Sequence, residues 1–252
     1  MIPPAASDRA TAESTPGQEQ HDAWAAAPVF RRYVGDAGAQ VHLYECGSSE
    51  ATPVVLLHRS GASAETWLAV GQLGSWDVRL LAPDLPGCGQ SDALADVPAD
   101  DEPGAVAAHL LGALRRTEHR PLLLVAEMDA ICVAVEMARA EPASTTGVVL
   151  VAPSVTAGHA ALEQLRLVDV PVWVAVGREA EPGLRSTTTE VPGARWLLLP
   201  GVGSDPVSES PDLVLDLVHG AVAEVARSAD QSDRRYMTCV SSAACENPSL
   251  SR

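Results

Sequence analysis

The 252 residues suffice for one domain with a sizeable core, and with 46 % hydrophobic but only 4 % aromatic side chains that core must be mostly Val, Leu and Ala. A formal net charge of −16 excludes the broad basic patches that a nucleic-acid backbone or an anionic membrane surface requires, so neither is expected as a partner. No apolar run approaches the roughly 18 residues of a membrane span.

Residues 1–27 are rich in Ala, Pro, Ser, Thr and acids without apolar periodicity and read as a disordered arm. The folded unit is expected over 28–227. Residues 228–252, with Ser, Asp and Asn and no core pattern, read as a disordered tail. Within the unit, Val29–Val34 and Gln40–Cys46 alternate as a hairpin about Gly35-Asp36-Ala37-Gly38. Val54–Leu57 predicts a short buried strand, Ala64–Leu73 a helix, and Val78–Ala82 a strand ending at Pro83. Pro103–Arg116 predicts a helix with Pro in its first turn. Leu122–Val125 predicts a strand, and Asp129–Ala140 the helix that follows it. Further strands are expected over Val148–Val151, Val172–Val176 and Ala194–Leu199. An amphipathic helix over Pro211–Arg227 closes the unit, with Leu213, Leu217 and Val218 on its apolar face. Strands interleaved with helices predict an α/β fold, a mainly parallel sheet covered on both faces.

Composition says less about chemistry. All 17 basic residues are arginines, a compositional bias and not a functional signal. The five cysteines (Cys46, Cys88, Cys132, Cys239, Cys245) are odd in number and lack close metal-ligand spacing, so reduced thiols are expected. No glycine loop has a phosphate-cradle pattern, so neither cofactor nor metal is expected. No charged start with an apolar stretch marks a secretory signal, and a cytoplasmic location is expected. Trp67 and Trp76 read as packing residues. Asp92, Asp96, Asp100, Asp101 and Glu102 read as a solvated acidic connector.

Three segments carry a resemblance. Leu122-Leu123-Leu124-Val125-Ala126-Glu127-Met128-Asp129-Ala130 is an apolar run, a tight small-residue turn, then a helix. Leu56-Leu57-His58-Arg59-Ser60-Gly61 follows the third strand, and Ala82-Pro83-Asp84-Leu85-Pro86-Gly87-Cys88-Gly89-Gln90-Ser91 follows the fourth. In order and content these resemble the α/β-hydrolase superfamily, over about residues 28–227. The resemblance implies an α/β-hydrolase-like sheet flanked by helices. Pro153 to Asp169 leaves room for one short helix around His159–Leu165, hence little or no lid domain.

The same resemblance assigns the chemical positions. The nucleophile position falls on Met128, with Ala126 and Ala130 in the two small positions beside it. The acid position falls on Ala180, flanked by Glu179 and Glu181. The histidine position falls on Ser204, followed by Asp205. A Ser–His–Asp mechanism needs a hydroxyl, a base and an orienting acid, and none stands at these positions. The oxyanion donors are expected from the backbone N–H groups of Ser60 and Asp129. Arg59 replaces the usual glycine after His58; it could fill the pocket or bind an anion, but the favoured expectation is that it points to solvent or pairs with an acid such as Glu127 or Asp129.

Three functional readings follow. The first is a non-hydrolytic pseudoenzyme that binds a small molecule or a protein partner. The second is a cofactor-free lyase, isomerase or cyclase, as in specialised metabolism, using pocket residues among His58, Arg59, Ser60, Glu127, Met128, Asp129, Glu179, Glu181 and Asp205. The third is an esterase with a displaced triad, for which His159, His219, His109 and His119 are the remaining histidines considered.

Overall fold

The computed structural model describes residues 28–74, 77–95, 97–98, 102–154, 161, 163–177 and 193–245, the last fifteen as backbone only. Eight strands form one sheet: β1 (Phe30–Val34), β2 (Val41–Cys46), β3 (Thr52–Leu57), β4 (Val78–Pro83), β5 (Leu122–Glu127), β6 (Thr145–Val151), β7 (Val172–Gly177) and β8 (Arg195–Leu199). Their spatial order is β1-β2-β4-β3-β5-β6-β7-β8. The β1–β2 and β2–β4 pairs are antiparallel and all others parallel.

Among the described residues, helices with defined bounds are α1 (Leu68–Leu73), α2 (Glu102–Leu114), α3 (Ile131–Ala140), α4 (Pro206–Glu209) and α5 (Pro211–Cys245). Single 3-10 turns lead into α1 (Ala64–Trp67) and α3 (Met128–Ala130). Ala161 and residues 163–165 are helical within the connector after β6.

Side chains alternate across a strand, and the inner strands are apolar at most positions on both faces, so they feed two cores. Val55, Leu57, Leu122, Leu124 and Ala126 pack with α2 and α3 on one face. Val54, Leu56, Leu123 and Val125 pack with Trp67, Val214 and Val218 on the other. The backbone of helix α5 runs on to Cys245. Neither Gly nor Pro occurs between Gly220 and Pro248, so nothing local stops the helix.

At the N-terminal ends of the parallel strands lies a buried ion cluster that the sequence did not announce. Arg79 of β4 donates to Glu45 of β2 at 2.8 Å and to Glu118 at 2.6 Å, and all three are nearly inaccessible. Arg120 closes the cluster onto Glu118 and donates to the carbonyls of Ser49, Glu50 and Ala51, fixing the turn before β3. These guanidinium contacts hold the Glu118 carboxyl down at about 2.

Candidate functional site at the carboxyl edge of the sheet

The opposite edge, beyond the carboxyl ends of β3, β5 and β8, gathers most of the residues singled out in the sequence. Strand β5 ends at Glu127, and Met128 then takes φ +49° before the chain enters the turn to α3. Left-handed backbone at a residue with a side chain costs about 1–3 kcal/mol and persists only where the surroundings impose it. Here Ala126 and Ala130 are buried on either side, and Met128 is half-buried at the tip. Ala152, after β6, is the other described non-glycine residue at positive φ.

Arg59 joins three loops. Its Nη1 donates to the Glu127 carboxylate and lies 3.4 Å from Asp205 Oδ2. Glu127 is fully buried, and its Oε2 has no hydrogen-bond partner among the described residues. Burial pushes the Glu127 carboxyl above its ordinary value, against the opposing hydrogen bond and charge of Arg59. The same contact raises the Arg59 guanidinium. The two shifts pull in opposite senses across one pair: the carboxylate is deep and the guanidinium about one-third exposed, so desolvation governs the acid alone.

The two backbone donors expected at this edge are not equally open. The Ser60 N–H donates to Asp129 Oδ1 at 3.0 Å, so a carboxylate of the chain itself occupies it. A bound oxyanion at that point would meet a negative charge in place of a hydrogen-bond donor.

Ser204 follows β8 in a loop drawn tight against the end of β7. A Cβ at Gly177 would overlap the Gly203 carbonyl oxygen, so only glycine lets the loop approach this closely. Asp205 caps α4, its carboxylate accepting from the Ser208 N–H at 3.2 Å and the Ser208 hydroxyl at 3.0 Å. Glu209 accepts from the N–H groups of Gly203 at 2.6 Å and Asp205 at 3.2 Å. Sequence reasoning missed Glu209. Its signal is the string Asp205-Pro206-Val207-Ser208-Glu209, a cap residue, a Pro in the first turn and an acid reaching back.

His58, expected among the pocket residues, is instead a structural link. It is fully buried, its Nδ1 lies 2.8 Å from the Arg59 carbonyl, and its Nε2 accepts from the Leu85 N–H at 2.9 Å. Burial lowers its pKa, and both ring nitrogens are committed in the neutral form.

The loop that His58 meets is organised by Asp84, which accepts from the N–H groups of Ala64 at 2.7 Å and Gln90 at 2.8 Å and contacts His42 Nδ1 at 2.8 Å. A Cβ at Gly89 would overlap the Asp84 carboxylate. Ser91 bridges the His42 N–H and the Asp84 carbonyl. Asp92, expected to be solvated, accepts from the Gln40 N–H at 2.8 Å. His109 and His219 lie on α2 and α5, and His119 follows α2. Ala180, Glu179, Glu181 and His159 lie outside the described residues, as does Trp76. Among the described residues no group of three or more His, Cys, Asp and Glu is placed to hold a metal ion, and no helix is long and apolar enough to cross a membrane.

This strand order, with the turn at Met128 and the Asp84 loop, is the α/β-hydrolase fold. Solved structures of that fold match over most of this chain and nearly the whole of their own length. A lipase (lip1) from Acinetobacter baumannii, described as putative in its structure report, superposes with a TM-score of 0.67 at 15 % identity, covering 88 % of this chain and 100 % of its own. A haloalkane dehalogenase loop variant from Bradyrhizobium elkanii gives 0.66 at 15 %, covering 81 % and 99 %. The thioesterase domain from the curacin biosynthetic pathway gives 0.62 at 18 %, covering 76 % and 99 %. At such identities the likeness is one of fold. No protein-family model matches the sequence, and no curated protein matches it.

Proposed function

We propose that this chain is a non-hydrolytic protein built on the α/β-hydrolase fold, a pseudoenzyme whose carboxyl edge binds a small molecule or a protein partner. One observation supports this above the others: the Ser60 N–H, where acyl transfer would need an open donor, is held by the Asp129 carboxylate. The side chain at the tip points the same way, because a thioether has no proton to surrender and does not form an acyl-enzyme. Ser204, where a base is required, cannot take up a proton at neutral pH.

A panel of p-nitrophenyl esters from acetate to octanoate tests this reading. Turnover no faster than buffer is the expected result. Reproducible turnover that disappears in Arg59→Ala or Met128→Trp would overturn it. Native mass spectrometry after gentle purification then separates the two kinds of binding: a small-molecule adduct lost in Met128→Trp, or a stoichiometric protein.

Glu127 favours a second reading. A fully buried carboxyl whose pKa burial raises, with one oxygen unpartnered among the described residues, is the kind of group that a cofactor-free lyase, isomerase or cyclase uses as a general acid or base. Turnover of any such substrate unchanged in Glu127→Gln would exclude Glu127 from that role.

A further inference from the structure

A groove of about 390 Å3 lies away from the Met128 edge, between the outer strands β7 and β8 and helix α5. Its floor is apolar: Trp173, Leu197, Leu199, Leu213 and Leu217 line it. A volume of several hundred Å3 with an apolar floor and few polar groups is the size and character of a small-molecule site. Leu197 is 37 % exposed, which leaves part of this surface uncovered.

The helix side of the groove has an unusual line of residues. Asp216, Gly220 and Glu224 follow one another at four-residue steps and so lie along one face of α5. Gly220 sits in the helix interior, where glycine is a poor choice. Packing does not require it: a Cβ there would meet nothing within 4 Å. The missing side chain therefore leaves a notch in the groove wall, flanked by two carboxylates about 12 Å apart along the axis.

The two carboxylates differ in state. Glu224 is engaged: it pairs with Arg195 and accepts from Trp173 Nε1 at 3.2 Å. The Arg195 guanidinium also lies over the Trp173 ring, 5.3 Å from its centroid. This end thus already holds an organic cation between an aromatic face and a carboxylate, supplied by the chain itself. Asp216, at the other end, is exposed and has no ion-pair partner among the described residues, and Asp212 lies one turn before it.

We propose that this groove is a binding site for an amphipathic organic cation, a primary ammonium on an apolar chain. The chain lies on Leu197, Leu199, Leu213 and Leu217 across the Gly220 notch, and the ammonium donates to Asp216. Charge complementarity selects this occupant. An anionic head would face Asp216 and Asp212, while Arg195, the guanidinium among the described lining residues, is already paired. A neutral head would gain no charge-assisted bond from the exposed Asp216 carboxylate.

Titration calorimetry with n-octylammonium, n-octanol and n-octanoate tests the proposal on the full chain. Octylammonium should bind at least about tenfold more tightly than octanol, and octanoate should not bind. Gly220→Leu, which fills the notch and leaves every charge in place, should weaken octylammonium by about tenfold or more. Asp216→Asn should abolish the preference for the amine and leave octanol unchanged.

Gly220→Ala serves as the folding control, because it should raise Tm while weakening binding. Octylammonium binding equally well to Gly220→Leu would reveal attraction to an acidic surface only and would overturn the site. Octanol or octanoate binding as tightly as the amine would overturn the ligand class. A change in oligomeric state in Gly220→Leu, measured by sedimentation, would assign the groove to a second copy of the chain and overturn the proposal.

Discussion

The Asp129 carboxylate lies 3.0 Å from the Ser60 backbone nitrogen, joining the residue after the β5 tip to the loop after β3. The contact is an internal anion on a backbone donor. It has a direct consequence for exchange. Asp129→Ala should speed hydrogen exchange at the Ser60 amide by about tenfold and cost no more than about 1 kcal/mol, because the bond lies at an exposed position. Exchange measured by NMR checks this, and an unchanged Ser60 rate would show that the carboxylate does not hold the donor in solution.

Arg59 has a larger role because its partner is buried. Removing it strands the Glu127 carboxyl, which then loses a hydrogen bond that water cannot replace. Arg59→Ala should cost about 1–3 kcal/mol at neutral pH and less in acid, where the carboxyl is neutral. Denaturant melts at pH 7 and pH 4 give the comparison.

For wild type the sign follows from the raised Glu127 pKa. Above the ordinary carboxylate value of 4.5 the unfolded chain ionises Glu127 before the folded one does. Its contribution to stability is therefore fully present below 4.5 and is lost as pH rises through the folded value. Glu127→Gln should flatten that decline. A variant whose stability falls with pH as steeply as wild type would contradict the assignment.

Glu118 works in the opposite sense. Its carboxyl is held at about 2 against 4.5 unfolded, so its stabilisation is present above 4.5 and is lost as pH falls toward 2. Glu118→Gln should cost on the order of 2 kcal/mol at pH 7, discounted for the exposed Arg120, and close to nothing at pH 2. Urea midpoints across that range measure the difference.

Gly177→Ala would drive a methyl group into the Gly203 carbonyl and push the loop after β8 outward. The expected cost is about 1–3 kcal/mol, from overpacking against backbone that cannot yield cheaply. Because that loop carries Asp205, the Arg59–Asp205 contact should be lost as well. A crystal structure of the variant with the loop unmoved would refute the argument.

The fold was largely legible in the chain because apolar runs and turn residues are local signals. Each of the eight strands falls within about three residues of its predicted bounds. The turn at Met128 was legible for the same reason, since Ala126 and Ala130 bracket it. The pairings at the site were less so. Arg59 and Glu127 are 68 residues apart, Ser60 and Asp129 are 69 apart, and Arg59 and Asp205 are 146 apart. No periodicity encodes such meetings. Glu127 was one of the two acids expected beside Arg59, but the added contact with Asp205, and the use of Asp129 on Ser60, became readable only once the strand order placed their loops side by side.

Met128 holds a left-handed backbone with a thioether on it. Nothing in the chemistry of sulfur asks for that conformation, so the flanking strand and helix must dictate it. The tip behaves as a socket whose shape is set from outside. Side chains of quite different chemistry can be seated at position 128 for the same backbone cost, which makes the residue there the easiest part of this edge to exchange over evolutionary time, or by hand.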